Sequence, residues 1–166
     1  MSSRADALLW LWIGAALLFA AVVAPALFAV LPARALAGLV VGRVLPVLFW
    51  SGVGVGAIAA VTHDGWRRAA ALVLVMTALG AQLGVAPRIQ RLRAALGPDI
   101  EALAKDDPQR VAFGTLHGVS VALLGAALLA AAAIAVAGLR APGATPALGA
   151  DAVAEGPDRP SRAAGR

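Results

Sequence analysis

ALLWLWIGAALLFAAVVAPALFAVL, residues 7–31, runs for 25 residues without a charge. A helix rising about 1.5 Å per residue needs about 20 residues to cross the hydrocarbon of a bilayer, so this stretch reads as a transmembrane span. Arg4 and the small residues Ala24 and Ala26 imitate a secretory signal peptide. The apolar stretch is too long for one, however, no polar region precedes a cleavage site, and three more spans follow.

Working outward, Pro32 and Arg34 break the run, and a second extends over about 36–62 with Arg43 as its one interruption. His63, Asp64 and Gly65 form a polar turn so short that spans two and three must be an antiparallel hairpin. The third span is expected over 69–86, ended by Pro87. Within 88–110, Ile89, Leu92 and Leu96 recur at helical spacing while Arg88, Arg91 and Arg93 face elsewhere, the pattern of a short helix lying on the membrane surface. Gly97 and Pro98 end it. Asp107 and Pro108 read as the cap and first turn of a fourth span over 111–139. The fold class expected is all-α: a four-helix transmembrane bundle with a short amphipathic surface helix between spans three and four. Residues 1–139 make this domain, and 140–166, without periodicity, a disordered basic tail.

Composition agrees. Of 166 residues, 61% are hydrophobic and 14% charged, and the mean hydropathy is +0.85, beyond what soluble domains carry. There is no cysteine, which removes disulfides, thiolate metal sites and cysteine nucleophiles. The net charge of +5 does not argue for nucleic acid, because the arginines sit at the ends of apolar runs as topology signals. Thirteen arginines against one lysine suggest a GC-rich bacterial genome and hence the bacterial inner membrane.

Four spans put both termini and the 63–68 turn on one side (the turn side), and the 32–37 and 88–110 segments on the other (the loop side). Seven membrane-proximal basic residues on the loop side (34, 43, 88, 91, 93, 105 and 110) against four on the turn side (4, 67, 68 and 140) favour a cytoplasmic loop side with both termini outside. Trp10, Trp12 and Trp66 fall near the turn side, where an aromatic belt would anchor.

Counting depth from the helix ends puts Pro25, Arg43, Pro46, Gln82 and His117 in one layer, roughly 6–12 Å in from the loop side. Polar groups inside hydrocarbon must face the bundle and find partners, and proline frees a backbone carbonyl one turn earlier. GxxxG pairs at 38/42, 52/56, 80/84 and 114/118 predict close backbone approach, above all at the loop-side end, where three of the four lie. The alternative is structural: Arg43 snorkels to headgroups, Gln82 joins two helices, and His117 bonds a nearby carbonyl.

With these residues in view, the chain resembles the family of transmembrane protein 205, whose bacterial members are grouped as domain of unknown function 4149. The resemblance is carried by LWIGAALLF, VVAPALF, GRVLPVLFWSG, APR at 86–88, and DPQRVAFGTLHGVS with Phe113, His117, Gly118 and Ser120. It implies a four-helix membrane protein; animal members are associated with drug resistance and vesicle traffic, and no reaction is established for the family.

The function expected is non-enzymatic: transport, resistance or small-molecule binding at the polar layer, with Arg43, Gln82, Arg88, His117, Pro25, Pro46 and Phe113 as binding residues. The alternative is an accessory or scaffold subunit whose glycine faces pack against a membrane partner or a second copy. Haem is a distant third reading, because His63 and His117 are separated by roughly 20 Å or more along the membrane normal and Met76 lies too near mid-bilayer to help. Ser51, Thr77, Thr115 and Ser120 have no carboxylate in any span to orient His117 as a base. Two remote histidines and loop carboxylates make no tetrahedral metal set, and Asp99, Glu101, Asp106 and Asp107 read as a solvated acidic cluster. No cofactor is expected, and the partner expected is the lipid bilayer.

Overall fold

The computed structural model describes residues 2–96 and 103–140. Four of its helices are long and apolar enough to cross a membrane: Arg4–Val30, Arg34–Thr62, Gly65–Leu96 and Pro108–Arg140. The chain is an all-α integral membrane bundle. Span one comprises α1 (Ser2–Leu18), a π-helical turn (Phe19–Val23) and α2 (Ala24–Val30); span two is α3 (Arg34–Thr62). Span three comprises α4 (Gly65–Leu79), a second π turn (Gly80–Val85) and α5 (Ala86–Leu96), and span four is α6 (Pro108–Arg140). Arg140, expected to open the disordered tail, is the last residue of the fourth span; the rest of the predicted tail, the Gly97–Pro98 break, and Asp99 and Glu101 of the acidic cluster lie outside the described residues.

Each π turn ends just before a proline, Pro25 or Pro87. Proline donates no N–H and its ring crowds the carbonyl four residues back. Widening the helix just upstream relieves that crowding while the chain stays helical, as backbone in hydrocarbon requires. Span three therefore does not end at Ala86, as the sequence suggested. It passes through Pro87 and continues to Leu96, so the amphipathic segment prolongs the span rather than forming a separate surface helix. Its predicted faces hold in part: Ile89, Leu92 and Leu96 are partly buried and Arg88 and Arg91 exposed, but Arg93, expected on the polar face, is partly buried too, because it follows Ile89 by about one helical turn.

Each helix contributes one stripe to the core. In α1 it is Ala5, Leu9, Trp12, Ile13 and Ala16, and in α6 Leu124, Ala127, Ala131, Ile134 and Ala135, the three- and four-residue steps of a helix face. The four spans close a ring in which α3 and α4, α4 and α6, α6 and α1, and α1 and α3 are neighbours. Large apolar side chains such as Val30, Val61 and Leu129 project outward, where lipid rather than water would surround them. With lipid as apolar as the core, helix association depends on shape, and the core is accordingly rich in alanine and glycine.

Of the four GxxxG pairs, Gly52/Gly56 brings helices together. A methyl on Gly52 would meet Trp12 at 2.9 Å, and one on Gly56 would meet Val75 at 2.8 Å and the Ala71 carbonyl at 3.3 Å. The loop-side pairs do not pack helix on helix: Gly80, Gly114 and Gly118 face open space, and Gly38 and Gly42 lie against the Arg93 side chain. The close packing expected at the loop side is found instead toward the turn side. Trp12 is likewise no belt residue. It is buried, its indole N–H donating to the Leu48 carbonyl at 3.0 Å, whereas Trp10 and Trp66 are exposed as a belt requires.

Two ends are fixed by local chemistry. Gly65 has φ +58°, a left-handed conformation that L side chains resist, and it lets the chain reverse after two residues. Asp107 Oδ1 accepts from the Gln109 and Arg110 amides at 2.8 and 3.4 Å, capping α6 ahead of Pro108.

Candidate functional site

The loop-side end opens into a cavity of about 1090 Å³. Three helices supply its walls, each through one stripe. On α3 the stripe is Gly38, Gly42, Leu45 and Phe49, with Arg43 and Pro46 beside it; on span three it is Gln82, Ala86, Ile89 and Arg93; on α6 it is Arg110, Phe113, His117 and Ser120. Phe28 of α2 and Arg34 complete the rim. The small residues explain the space: Gly42 and Gly114 line the cavity without filling it.

Of the seven residues singled out from the sequence, Arg43, Pro46, Gln82, Phe113 and His117 line this one cavity. Pro25 does not; it is exposed on span one beyond the first π turn. Arg88 does not either, being exposed with Nη1 donating to the carbonyl of Gly84, one turn back in its own span. The arginine inside is Arg93. Its Nη1 donates to the Gly38 carbonyl at 2.7 Å, and its guanidinium carbon lies 5.4 Å from the centre of the Phe113 ring, within cation–π range. Arg93 thus links α5 to α3 and α6. Treating Pro87 as a helix end concealed it: in an unbroken helix 82, 86, 89 and 93 share a face from which 88 is turned away.

The polar groups of the cavity are poorly matched. Gln82 Oε1 is shielded and has no hydrogen-bond partner among the described residues. Arg43 and His117 are exposed and have no hydrogen bond or ion pair to any described residue. Among the described residues no carboxylate lines the cavity.

A second polar cluster, on the turn side, escaped sequence reading. Asp6 Oδ1 accepts from Arg67 Nη2 at 2.7 Å and lies 3.1 Å from Nε2 of the buried His63. The other ring nitrogen of His63 is 2.9 Å from the Ala59 carbonyl, and Arg67 also donates to the Ile134 carbonyl at 3.3 Å. Gly138 makes room, since a methyl there would meet the Asp6 carboxylate at 2.9 Å. Asp6, just outside the uncharged run, was a visible signal, but its partners lie 57 and 61 residues away. His63 and His117 therefore belong to separate clusters, one on the turn and one in the loop-side cavity.

No curated protein and no solved structure matches the chain. Residues 7–97 match the family described as domain of unknown function DUF4149, taking in spans one to three and with them the α3 and α5 walls of the cavity. That match covers more than half of the sequence, and the chain belongs to the DUF4149 family.

Proposed function

We propose that the protein is a non-enzymatic membrane protein that takes a small molecule into the loop-side cavity, in a binding, transport or resistance role. One observation carries this reading: a cavity of ligand size is lined by Arg43 and His117, which bond no described residue, and by Gln82, whose shielded Oε1 also has no partner among the described residues. A buried acceptor left unmade costs about 1–3 kcal/mol, and a ligand toward which the Gln82 amide turns removes that cost. The resemblance to transmembrane protein 205, with its association with drug resistance, agrees with this reading. We place the protein in a bacterial inner membrane with 88–110 cytoplasmic and both termini outside, on the balance of arginines.

The test is purification of the full chain in mild detergent with mass spectrometry of bound small molecules. A molecule retained by the wild type and lost from Gln82→Leu and His117→Leu supports the reading; one retained equally by both variants overturns it. A second reading, an accessory subunit, draws on Gly118, which is exposed and has open space where a partner helix could approach. Stable co-purification of a membrane protein, abolished by Gly118→Leu, would favour it.

A further inference from the structure

Resting on the reading of the cavity as a binding site, we infer that its ligand is an amphiphile with an oxyanionic headgroup, seated between Arg43 and Arg93 with its apolar tail along the α3 wall.

The first ground is charge. Arg43 and Arg93 both line the cavity, and no carboxylate among the described residues does. Among the described residues Arg43 has no ion pair, and Arg93 is held by a neutral carbonyl and an aromatic face. A guanidinium has five N–H donors, so the bond to Gly38 leaves Arg93 most of its capacity. Cations within a membrane bundle are costly without a counter-charge, and the planar fork of arginine matches phosphate and carboxylate oxygens.

The second ground is that the rest of the wall is apolar. Leu39, Leu45, Phe49 and Ile89 line it, and Phe28 at the rim is itself exposed, so the apolar side is continuous with the outward-facing surface of the bundle. A soluble anion would leave those walls unused, and a neutral lipid would leave Arg43 and Arg93 without an anionic partner. Basic pockets between membrane helices are a recurrent seat for anionic lipid headgroups.

The test uses the full chain, delipidated in an uncharged detergent and titrated calorimetrically with three probes: dioctanoyl phosphatidic acid, dioctanoylglycerol and inorganic phosphate. Phosphatidic acid should bind at least tenfold more tightly than either other probe. Arg43→Gln and Arg93→Gln should each weaken it at least tenfold, leaving dioctanoylglycerol unaffected. Arg43 is exposed and bonds no described residue, so its variant tests the headgroup even if loss of the Arg93 link unfolds the chain. Arg68→Gln, on the turn side, should change nothing; an equal loss there would reduce the effect to general surface charge and overturn the inference. Equal binding of dioctanoylglycerol, indifferent to the arginine variants, would overturn the headgroup and leave the cavity reading standing. Inorganic phosphate binding as tightly as phosphatidic acid would overturn the tail and leave a soluble oxyanion site. Absence of binding by all three, with no small molecule retained on purification, would remove both readings.

Discussion

The two ends of the bundle use the same residue types to opposite effect. On the turn side the Asp6 carboxylate joins His63 and Arg67, each of which also meets a backbone carbonyl, and Gly138 gives them room against α6; Arg67 Nε alone of these groups has no partner among the described residues. On the loop side Arg43, Gln82 and His117 line one cavity without bonding any described residue, and Arg93 crosses between helices. One histidine is buried against a carboxylate and a carbonyl; the other is exposed and bonds no described residue. Glycine divides in the same way: Gly52 and Gly56 admit neighbouring side chains closely, whereas Gly114 and Gly118 border open space. A polar group in a membrane protein stabilises the fold where its partners are built in. Where they are missing, it is available to a ligand.

The contrast predicts unequal consequences of similar substitutions, measured as unfolding free energy in detergent micelles. Asp6→Ala should have the largest effect, because it leaves Arg67 and His63 without their shared acceptor. Breaking a buried pair costs about 3–5 kcal/mol, and the partial exposure of Asp6 and Arg67 brings the expected loss to about 2–3 kcal/mol. Arg43→Ala should stay within about 0.5 kcal/mol of wild type; a comparable loss there would erase the distinction between the ends.

Next in size, Gly52→Ala should cost about 1–3 kcal/mol as its methyl meets the Trp12 ring, whereas Gly114→Ala should be nearly neutral. Were Gly114→Ala the more damaging, the loop side would be the packed end. Trp12→Phe should cost about 1–2 kcal/mol through the lost bond to Leu48 and the smaller ring, against about 0.5 kcal/mol or less for the exposed Trp66→Phe. The smallest effect is expected from Gln82→Leu. Removing an unpaired shielded acceptor should leave stability unchanged or slightly raised, and a loss above about 1 kcal/mol would reveal a structural partner for Gln82.

The four spans, the polar turn and the cap at Asp107 were legible in the sequence because each follows from local rules: the length of an uncharged run, the conformational freedom of Gly65, and the side-chain oxygen before Pro108. Depth counting also brought Arg43, Pro46, Gln82 and His117 to one level, together with Pro25, which lies outside the cavity, since rise per residue is the same for every helix. Level along the helix axis says nothing of direction around it. Whether Arg88 or Arg93 enters the cavity depends on the azimuth of α5, and that depends on whether the helix survives Pro87, which the widened turn at Gly80–Val85 decides. Asp6 could find His63 and Arg67, and Trp12 the Leu48 carbonyl, only once α1 had docked between α3 and α6. The sequence by itself determined an all-α membrane bundle and a polar level within it. Tertiary structure alone decided which end satisfies its own charges and which leaves them open, because pairing depends on how helices distant in sequence turn toward one another.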